Sequence, residues 1–377
     1  MGSEIIVVIV VATALIFDFT NGFHDTANVV ATSISTRAMP PRVAVGYASI
    51  LNFVGAFISL EVAATVAKDV VSVDSSSTGL IAVFAGLVGA IAWNLITWYF
   101  GLPSSSSHAL IGGMVGAVFV AEGPSSVFFV EGVLGKVMIP AVVAPILAFV
   151  VGGLAIVFLY RIVGRLRPGP VTGGFRLGQV LSGGLLALAH GTNDAQKTMG
   201  VITLALVANG TISESNFHVP DWVVISSATA ISLGTYVGGW RIIKTMGSRI
   251  HKMDAAQGFA AQGSGATVIL AASHVGFPLS TTHTITGAVI GSGAAKRLSA
   301  VRWGVAGNIL VAWILTLPGA AVIGGLTYLV TRIFGTGALG PIVVSTAIVI
   351  GAGALFARRS REGLAPGVVP ATGNPPA

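Results

Sequence analysis

Two short polar segments of the chain carry hydroxyl groups directly before apolar stretches. They are Pro103–His108 and Pro278–His283, and each holds three consecutive Ser or Thr residues followed by His. Hydroxyls at a helix start, together with its free N–H groups and partial positive charge, suit an oxyanion. The alternative is that these residues only cap the following helices. The predicted anion-binding hydroxyls belong to Ser105, Ser106, Ser107, Ser280, Thr281 and Thr282.

Two carboxylates lie in another pair of matched segments. Asp25 stands within Gly22–Asn28 and Asp194 within Gly191–Lys197, each in the middle of a long apolar run. A carboxylate at membrane depth is costly and usually functional. Negative charge beside an anion is explained if a cation binds too, either a metal ion held by oxygen ligands or a proton. The predicted coupling-ion ligands are Asp25, Asn28 and Asp194, and the predicted further anion contacts are Asp25, Asn193, Gln196 and Lys197.

The remaining ionisable residues in the apolar runs give weaker signals. His108 and His283 repeat with the hydroxyl segments, so each either caps its hairpin or relays protons. Asp18 aligns with Ala187 and has no counterpart, which leaves a snorkelling or capping role and a functional role both open. His190 gives less indication of function than the repeated histidines.

The composition indicates whether these residues are positioned in a water-soluble protein or in a membrane protein. Hydrophobic residues make up 54% of the 377 and charged residues 9%, with a mean hydropathy of +0.88. These values exclude ordinary soluble and disordered proteins and predict an all-α polytopic membrane protein. The net charge of +7 does not indicate nucleic-acid binding, because the apolar runs leave little room for a basic surface. The absence of Cys excludes disulfides and thiolate chemistry.

The lengths of the apolar runs predict broken helices and re-entrant hairpins. The run from Glu4 to Ser35 would be roughly 48 Å long as a helix, against a hydrocarbon core of about 30 Å. Its polar middle, 18–25, therefore predicts a break, and 177–208 is built alike. The stretches 109–121, 266–277 and 284–294 are too short to span the core. They flank the two hydroxyl segments, which are predicted to be the tips of two hairpins.

The matched motifs divide the chain into two copies with opposite orientation. A basic loop follows the first Asp segment and an acidic loop follows the second, which predicts inverted repeats typical of alternating-access transporters. The loop charges place the N-terminus outside and the C-terminus in the cytoplasm. The predicted organisation is a first repeat over 1–160, a short basic cytoplasmic loop over 161–176, a second repeat over 177–357 and a disordered tail over 358–377.

These residues also carry a resemblance to a known family. Gly22–Asn28 and Ala189–Lys197 resemble the two signatures of the inorganic phosphate transporter (PiT) family, and the hydroxyl segments resemble its paired hairpin tips. The resemblance covers about 5–357 and is to bacterial low-affinity phosphate permeases in particular. It implies a multi-pass protein of the cell membrane, a homodimer, and symport of phosphate with H⁺ or Na⁺ and without another cofactor. It also implies that the Asp residues and hairpin hydroxyls hold phosphate and the coupling cation.

The predicted function is uptake of inorganic phosphate coupled to protons, either as free phosphate or as a metal–phosphate complex. Lys197 stands at the position matching Asn28 and replaces an oxygen ligand, which favours protons. The alternatives are a sodium-coupled phosphate symporter and a sulfate carrier of the same family. A channel and an intramembrane Ser/His hydrolase represent other classes, but duplication into inverted copies disfavours one catalytic centre. The chain is therefore predicted not to be an enzyme.

Overall fold

The protein is built from helices of very unequal length. A computed structural model describes residues 2–361, and in that range two residues, Val71 and Val127, form an isolated β-bridge but no strand is present. Two π-helical segments, Phe129–Met138 and Thr245–Arg249, adjoin α6 and α9. The α-helices are α1 Gly2–Ser35, α2 Pro41–Gly55, α3 Glu61–Lys68, α4 Ser77–Phe100, α5 Ser106–Glu122, α6 Ile139–Val163, α7 Pro168–Ala208, α8 Asp221–Val237, α9 Trp240–Lys244, α10 Ala255–His274, α11 Thr281–Lys296, α12 Trp303–Arg332 and α13 Leu339–Arg361.

Several helices are long and apolar enough to cross a membrane. Among the described residues four single helices meet this criterion, and a fifth span results if α8 and the helical segment Trp240–Arg249 are taken together. Large apolar side chains on α6 and α12 are exposed, for example Leu154 at 66% and Val322 at 61%. Such surfaces are stable only against lipid or another apolar partner. The predicted all-α multi-pass membrane protein is confirmed.

The two predicted hairpins are present. Helices α4 and α5 form the first, with its tip at 101–105, and α10 and α11 form the second, with its tip at 275–280. At the end opposite its tip, each hairpin has its two flanking segments joined by a backbone hydrogen bond. Ser72 N donates to Ser126 O beside the first hairpin, and Arg302 N donates to Ile250 O beside the second, each at 2.9 Å. The tips meet in the protein interior, where the ring centroids of His108 and His283 are 4.7 Å apart.

The predicted breaks at the two Asp segments are wrong. Helices α1 and α7 run without interruption through Asp25 and Asp194. The prediction assumed that polar side chains here would face lipid, but those at 20–28 and 190–198 are buried against other helices. Thr26, for example, donates to the carbonyl of Gly22 at 2.6 Å, within its own helix. Nothing then requires the backbone to open.

The chain bends instead in two stretches that the sequence predicted as plain apolar spans. Helices α8 and α9 are separated by Gly238-Gly239, where the axis turns by 59°. Gly238 has φ +74°, a conformation that favours glycine. In the other half of the chain, residues 56–60 separate α2 from α3.

The boundaries of the predicted central loop and tail also need correction. The non-helical connection between α6 and α7 is only 164–167, because α7 already begins at Pro168. Proline is well accepted in the first turn of a helix, so 168–176 extends α7 as an exposed polar end instead of forming a loop. At the C-terminus α13 continues to Arg361. The rest of the predicted disordered tail, 362–377, lies outside the described residues.

Each hairpin packs against a long helix of the other half of the chain. Gly112 of α5 lies against the backbone of Leu317 in α12, and Gly287 of α11 lies against the backbone of Pro145 in α6. A Cβ atom at either glycine would overlap a carbonyl oxygen. The segments predicted as two repeats are therefore interlocked and do not form separate bodies.

Asp254 links several segments at the end of the second hairpin opposite its tip. It forms a capping box with Gln257 at the start of α10 and accepts hydrogen bonds from Tyr160 at 2.6 Å and Lys296 at 3.0 Å. Partial burial favours the neutral acid, but the hydrogen bonds outweigh it and hold the pKa of Asp254 below its usual value.

Candidate functional site

The two repeated carboxylates meet beside the tip of the second hairpin. Thr281 Oγ1 lies 3.1 Å from Asp194 Oδ2 and 3.4 Å from Asp25 Oδ2, so one hydroxyl bridges the two acids. Thr282 Oγ1 is 3.4 Å from Asp25 Oδ1 and accepts a hydrogen bond from Asn28 Nδ2 at 2.9 Å. All five side chains are at most 2% exposed. We call Asp25, Asn28, Asp194, Thr281 and Thr282 the carboxylate centre.

A buried lysine joins this centre to the first hairpin. Lys197 pairs with Asp194 one turn earlier on α7, and it donates to Ser107 Oγ at 2.6 Å and to the carbonyl of Leu279 at 2.8 Å. Its charge is thus compensated although the side chain is 1% exposed. Lys197 therefore connects α7 to both hairpin tips.

Each carboxylate also has a histidine partner, which the sequence analysis missed. His24 Nδ1 lies 2.7 Å from Asp25 Oδ1, and His190 Nε2 lies 3.0 Å from Asp194 Oδ2. A signal was available, because Asn21 and His24 occupy the positions of His190 and Asn193 in the other copy. The two residue types are exchanged, so a comparison that looks for identical residues at identical positions does not find them.

The geometry of the acids is compatible with a bound cation. Ligand atoms of Asp25, Asp194 and His190 all lie within 4.8 Å of one another. The hydroxyls of Thr281 and Thr282 add oxygen donors of the kind that Na⁺ or a divalent ion prefers. The same acids, each beside an imidazole, are equally able to hold protons.

Two of the predicted anion-binding hydroxyls act as helix caps. Ser105 Oγ accepts from the backbone N–H of His108 at 3.1 Å, and Ser280 Oγ accepts from that of His283 at 3.2 Å. Capping is therefore done by the serines and not by the imidazoles. His283 instead stacks on Trp313, with ring centroids 3.8 Å apart. Of the two roles predicted for the histidines, only proton relay stays a prediction.

The other predicted contacts differ in what their polar atoms do. Gln196 is engaged elsewhere: its Oε1 accepts from the first amides of α3, Val62 N at 2.8 Å among them, and its Nε2 donates to Thr192 O. This requirement for a cap on α3 removes Gln196 from the candidate site. By contrast, Ser106 Oγ and Asn193 Oδ1 are buried without a hydrogen-bond partner among the described residues, and both are free to meet a ligand.

The hydroxyl segments thus place two helix N-termini together. Helices α5 and α11 begin at Ser106 and Thr281, and the first amides of a helix have no partner within it. These N–H groups, the hydroxyls of Ser106 and Ser107, and Lys197 form a donor-rich half of the site beside the carboxylate centre. A buried site with donors on one side and acids on the other has groups suited both to an anion and to a cation.

Comparison with known proteins agrees with this arrangement. The sequence profile of the phosphate transporter family (PHO4) matches residues 21–173 and 168–324. A probable low-affinity inorganic phosphate transporter of Mycobacterium leprae (strain TN) is 50% identical over 353 residues, covering 94% of this chain and 84% of the relative. A relative from Bacillus subtilis (strain 168) with the same description is 42% identical over 326 residues, covering 86% and 97%.

A solved structure described as the sodium-dependent phosphate transporter has a similar fold. Its TM-score is 0.77 at 26% sequence identity, and the match covers 87% of this chain and 99% of that one. The chain belongs to the phosphate transporter family, as the resemblance predicted. It is a multi-pass membrane transporter of phosphate and not an enzyme, so the hydrolase alternative is set aside.

Proposed function

We propose that the protein is a secondary active symporter that takes up inorganic phosphate together with a cation. The observation that carries the proposal is the meeting of Asp25 and Asp194 with both hairpin tips at one buried point. Phosphate binds the donor-rich half, at Ser106, Ser107 and the first amides of α5 and α11. The cation binds the carboxylate centre.

The charges explain why a cation is needed. With both histidines neutral, Asp25, Asp194 and Lys197 sum to −1, and phosphate adds further negative charge in a site closed from water. An anion entering against a negative-inside potential of 100 mV also meets about 2.3 kcal/mol per charge. A cation that binds with phosphate lowers both barriers.

The coupling ion in this proposal is the proton. The His24–Asp25 and His190–Asp194 pairs each hold an acid and a base in contact, and Lys197 already neutralises one carboxylate. Sodium is the alternative, favoured by the close approach of three ligand atoms and by the fold shared with a sodium-dependent phosphate transporter. The same three ligands would accept the metal of a metal–phosphate complex.

The acids favour phosphate over sulfate. Hydrogen phosphate carries an O–H group that donates to a carboxylate, whereas sulfate at neutral pH has none. With Asp25 and Asp194 lining the site, bound phosphate has carboxylates to which its O–H can donate, and sulfate forms no such bond.

Alternating access would follow from inverted repeats, and paired helix contacts support them. Gly22 of α1 lies against the backbone of Ile231 in α8, and its counterpart Gly191 of α7 lies against the backbone of Asn52 in α2. We place the protein in the cell membrane, with the N-terminus outside and the C-terminus in the cytoplasm, as the loop charges predict. The homodimer rests on the family resemblance alone.

Topology is tested by labelling single cysteines in this Cys-free chain. Ser215 lies between α7 and α8 and Ser248 in the π-helical segment Thr245–Arg249; both are exposed, and the proposal places them on opposite sides of the membrane. In oriented vesicles an impermeant thiol reagent added outside should label Ser215→Cys and not Ser248→Cys. Labelling of both from one side would contradict the inverted repeats.

Transport is tested with the purified protein in proteoliposomes. Phosphate uptake is measured with a pH gradient and a sodium gradient imposed separately, and accumulation should follow the pH gradient. Accelerated tracer uptake into vesicles preloaded with phosphate would distinguish a carrier from a channel. Accumulation driven by sodium alone at fixed pH would reject the proton and keep the symporter.

A further inference from the structure

A second group of buried polar side chains lies away from the carboxylate centre. Asp18 on α1 is fully buried, and the side chains of Asn21 and Thr198 lie beside its carboxyl group. Asn94 on α4 is fully buried as well. Neither carboxyl oxygen of Asp18 has a hydrogen-bond partner in the described part of the chain, and the same is true of Asn21 Oδ1, Thr198 Oγ1 and both polar side-chain atoms of Asn94.

The packing of α1 and α4 places Asn94 level with Asn21 of this group. Residues 6–17 of α1 and 80–90 of α4 belong to one apolar cluster, and further along both helices His24 contacts Thr97 at 3.2 Å. The helices therefore run side by side in the same direction. One turn before that contact, α1 carries Asn21 and α4 carries Asn94.

Buried polar atoms without partners are rare, and several in one place point to a ligand. An ionised carboxylate without a counter-charge or hydrogen bonds is costly by several kcal/mol in a protein interior. The charged groups nearest to Asp18 are Asp194 and Lys197, both on α7. Lys197 is already paired with Asp194, so it does not neutralise Asp18.

We propose that Asp18, Asn21, Asn94 and Thr198 form a second cation-binding site, one to two turns from the carboxylate centre toward the N-terminal end of α1. The donors that it offers a cation are all oxygens: two from a carboxylate, two from amides and one from a hydroxyl. Such a set suits Na⁺ or a proton and not a soft metal. Ala187 stands at the repeat position of Asp18, so the site exists once per chain.

The site deepens the proposed function, because it gives the transporter a cation besides the one at the carboxylate centre. Its position beside Lys197 and Asp194 makes the two sites electrostatically coupled. A cation at Asp18 reduces the negative potential around the anion without taking up a donor of the phosphate site.

The test compares the purified wild type with Asp18→Asn, which keeps the shape of the side chain and removes its charge. In the first arm, ²²Na⁺ binding is counted without phosphate, and the variant should bind one ion per chain fewer. In the second arm, sodium-free protein is titrated with acid, and infrared difference spectra should show a protonated carboxyl band that the variant lacks. The arm that shows the loss identifies the ion.

Equal sodium stoichiometry, together with no titrating band assignable to Asp18, would overturn the proposal. If Asp18→Asn does not fold, Thr198→Val replaces it and should weaken cation binding about three- to tenfold. Thr203→Val is the matched control, because Thr203 is buried on the same helix and donates to Met199 O at 2.7 Å. It should bind cations like the wild type, and equal binding by both threonine variants would also overturn the proposal. Both arms are measured without phosphate. Failure of wild-type symport would therefore reject the proposed function without deciding whether this cation site exists, which the two binding arms decide.

Discussion

Replacing Lys197 by Met should expose the energetics of the buried ion pair. The substitution keeps an unbranched side chain, one atom shorter, and removes the charge that faces Asp194, Ser107 Oγ and Leu279 O. Contacting charges attract by roughly 4 kcal/mol at an effective dielectric constant of about 20. Removing one partner of a buried pair leaves the other uncompensated and typically costs about 3–5 kcal/mol. We expect Lys197→Met to be destabilised by that amount.

The assay is thermal unfolding in detergent, followed by the fluorescence of the six tryptophans. The decisive comparison is the double variant Asp194→Asn with Lys197→Met, in which no buried charge lacks a partner at this position. It should recover most of the lost stability, because replacing both partners of a buried pair is often close to neutral. If the single and double variants unfold at the same temperature, the loss comes from packing or from the Ser107 contact, and the ion-pair argument is refuted.

Three further predictions address the site, the hairpin packing and the pH dependence. Ser106→Ala should weaken phosphate binding by about 1–2 kcal/mol, measured with radiolabelled phosphate, because it removes a hydroxyl of the donor-rich half, whereas Thr284→Val, whose hydroxyl bonds to its own helix, should not. Gly287→Ala should reduce the yield of folded protein in size-exclusion chromatography because its Cβ meets the backbone of α6, while Gly263→Ala, with open space around it, should be tolerated. Asp254 has a lowered pKa, so its stabilising effect is present above the unfolded value near 4 and is lost as the pH falls below it. Unfolding midpoints of Asp254→Asn should therefore lie below those of the wild type at pH 7, and the difference should shrink as the pH falls below about 4 toward the lowered folded-state pKa.

The sequence predicted what depends on residue type and spacing. Matched hydroxyl segments and matched acids were enough to place Asp25, Asp194 and Thr281 in one site, because both patterns recur in the same order in each half of the chain. The short apolar stretches around the tips predicted the hairpins for the same reason. The matched motifs and the short apolar stretches can be recognised without knowing which helices pack together.

What the sequence could not supply depends on which atoms surround a side chain. The polar segment 18–25 reads as a helix break only if it faces lipid, and it does not. Gln196 and Ser105 look like ligand contacts until the helix ends that they cap are known. Asp18 has no counterpart in the second repeat, and its proposed role as a cation ligand depends on Asn94 and Thr198, which lie on other helices.

Each hairpin packs against a helix from the other half of the chain, and this has a consequence during synthesis. Helix α5 finds its packing partner at Leu317, which the ribosome adds long after Gly112. At about 5–20 residues per second the intervening chain takes on the order of 10–40 s to make. Throughout that time the face of α5 that packs on α12 has no partner. A chaperone or insertase that shelters such a hairpin would therefore act before the C-terminal half emerges, and truncation ahead of α12 should leave a substrate for membrane proteases.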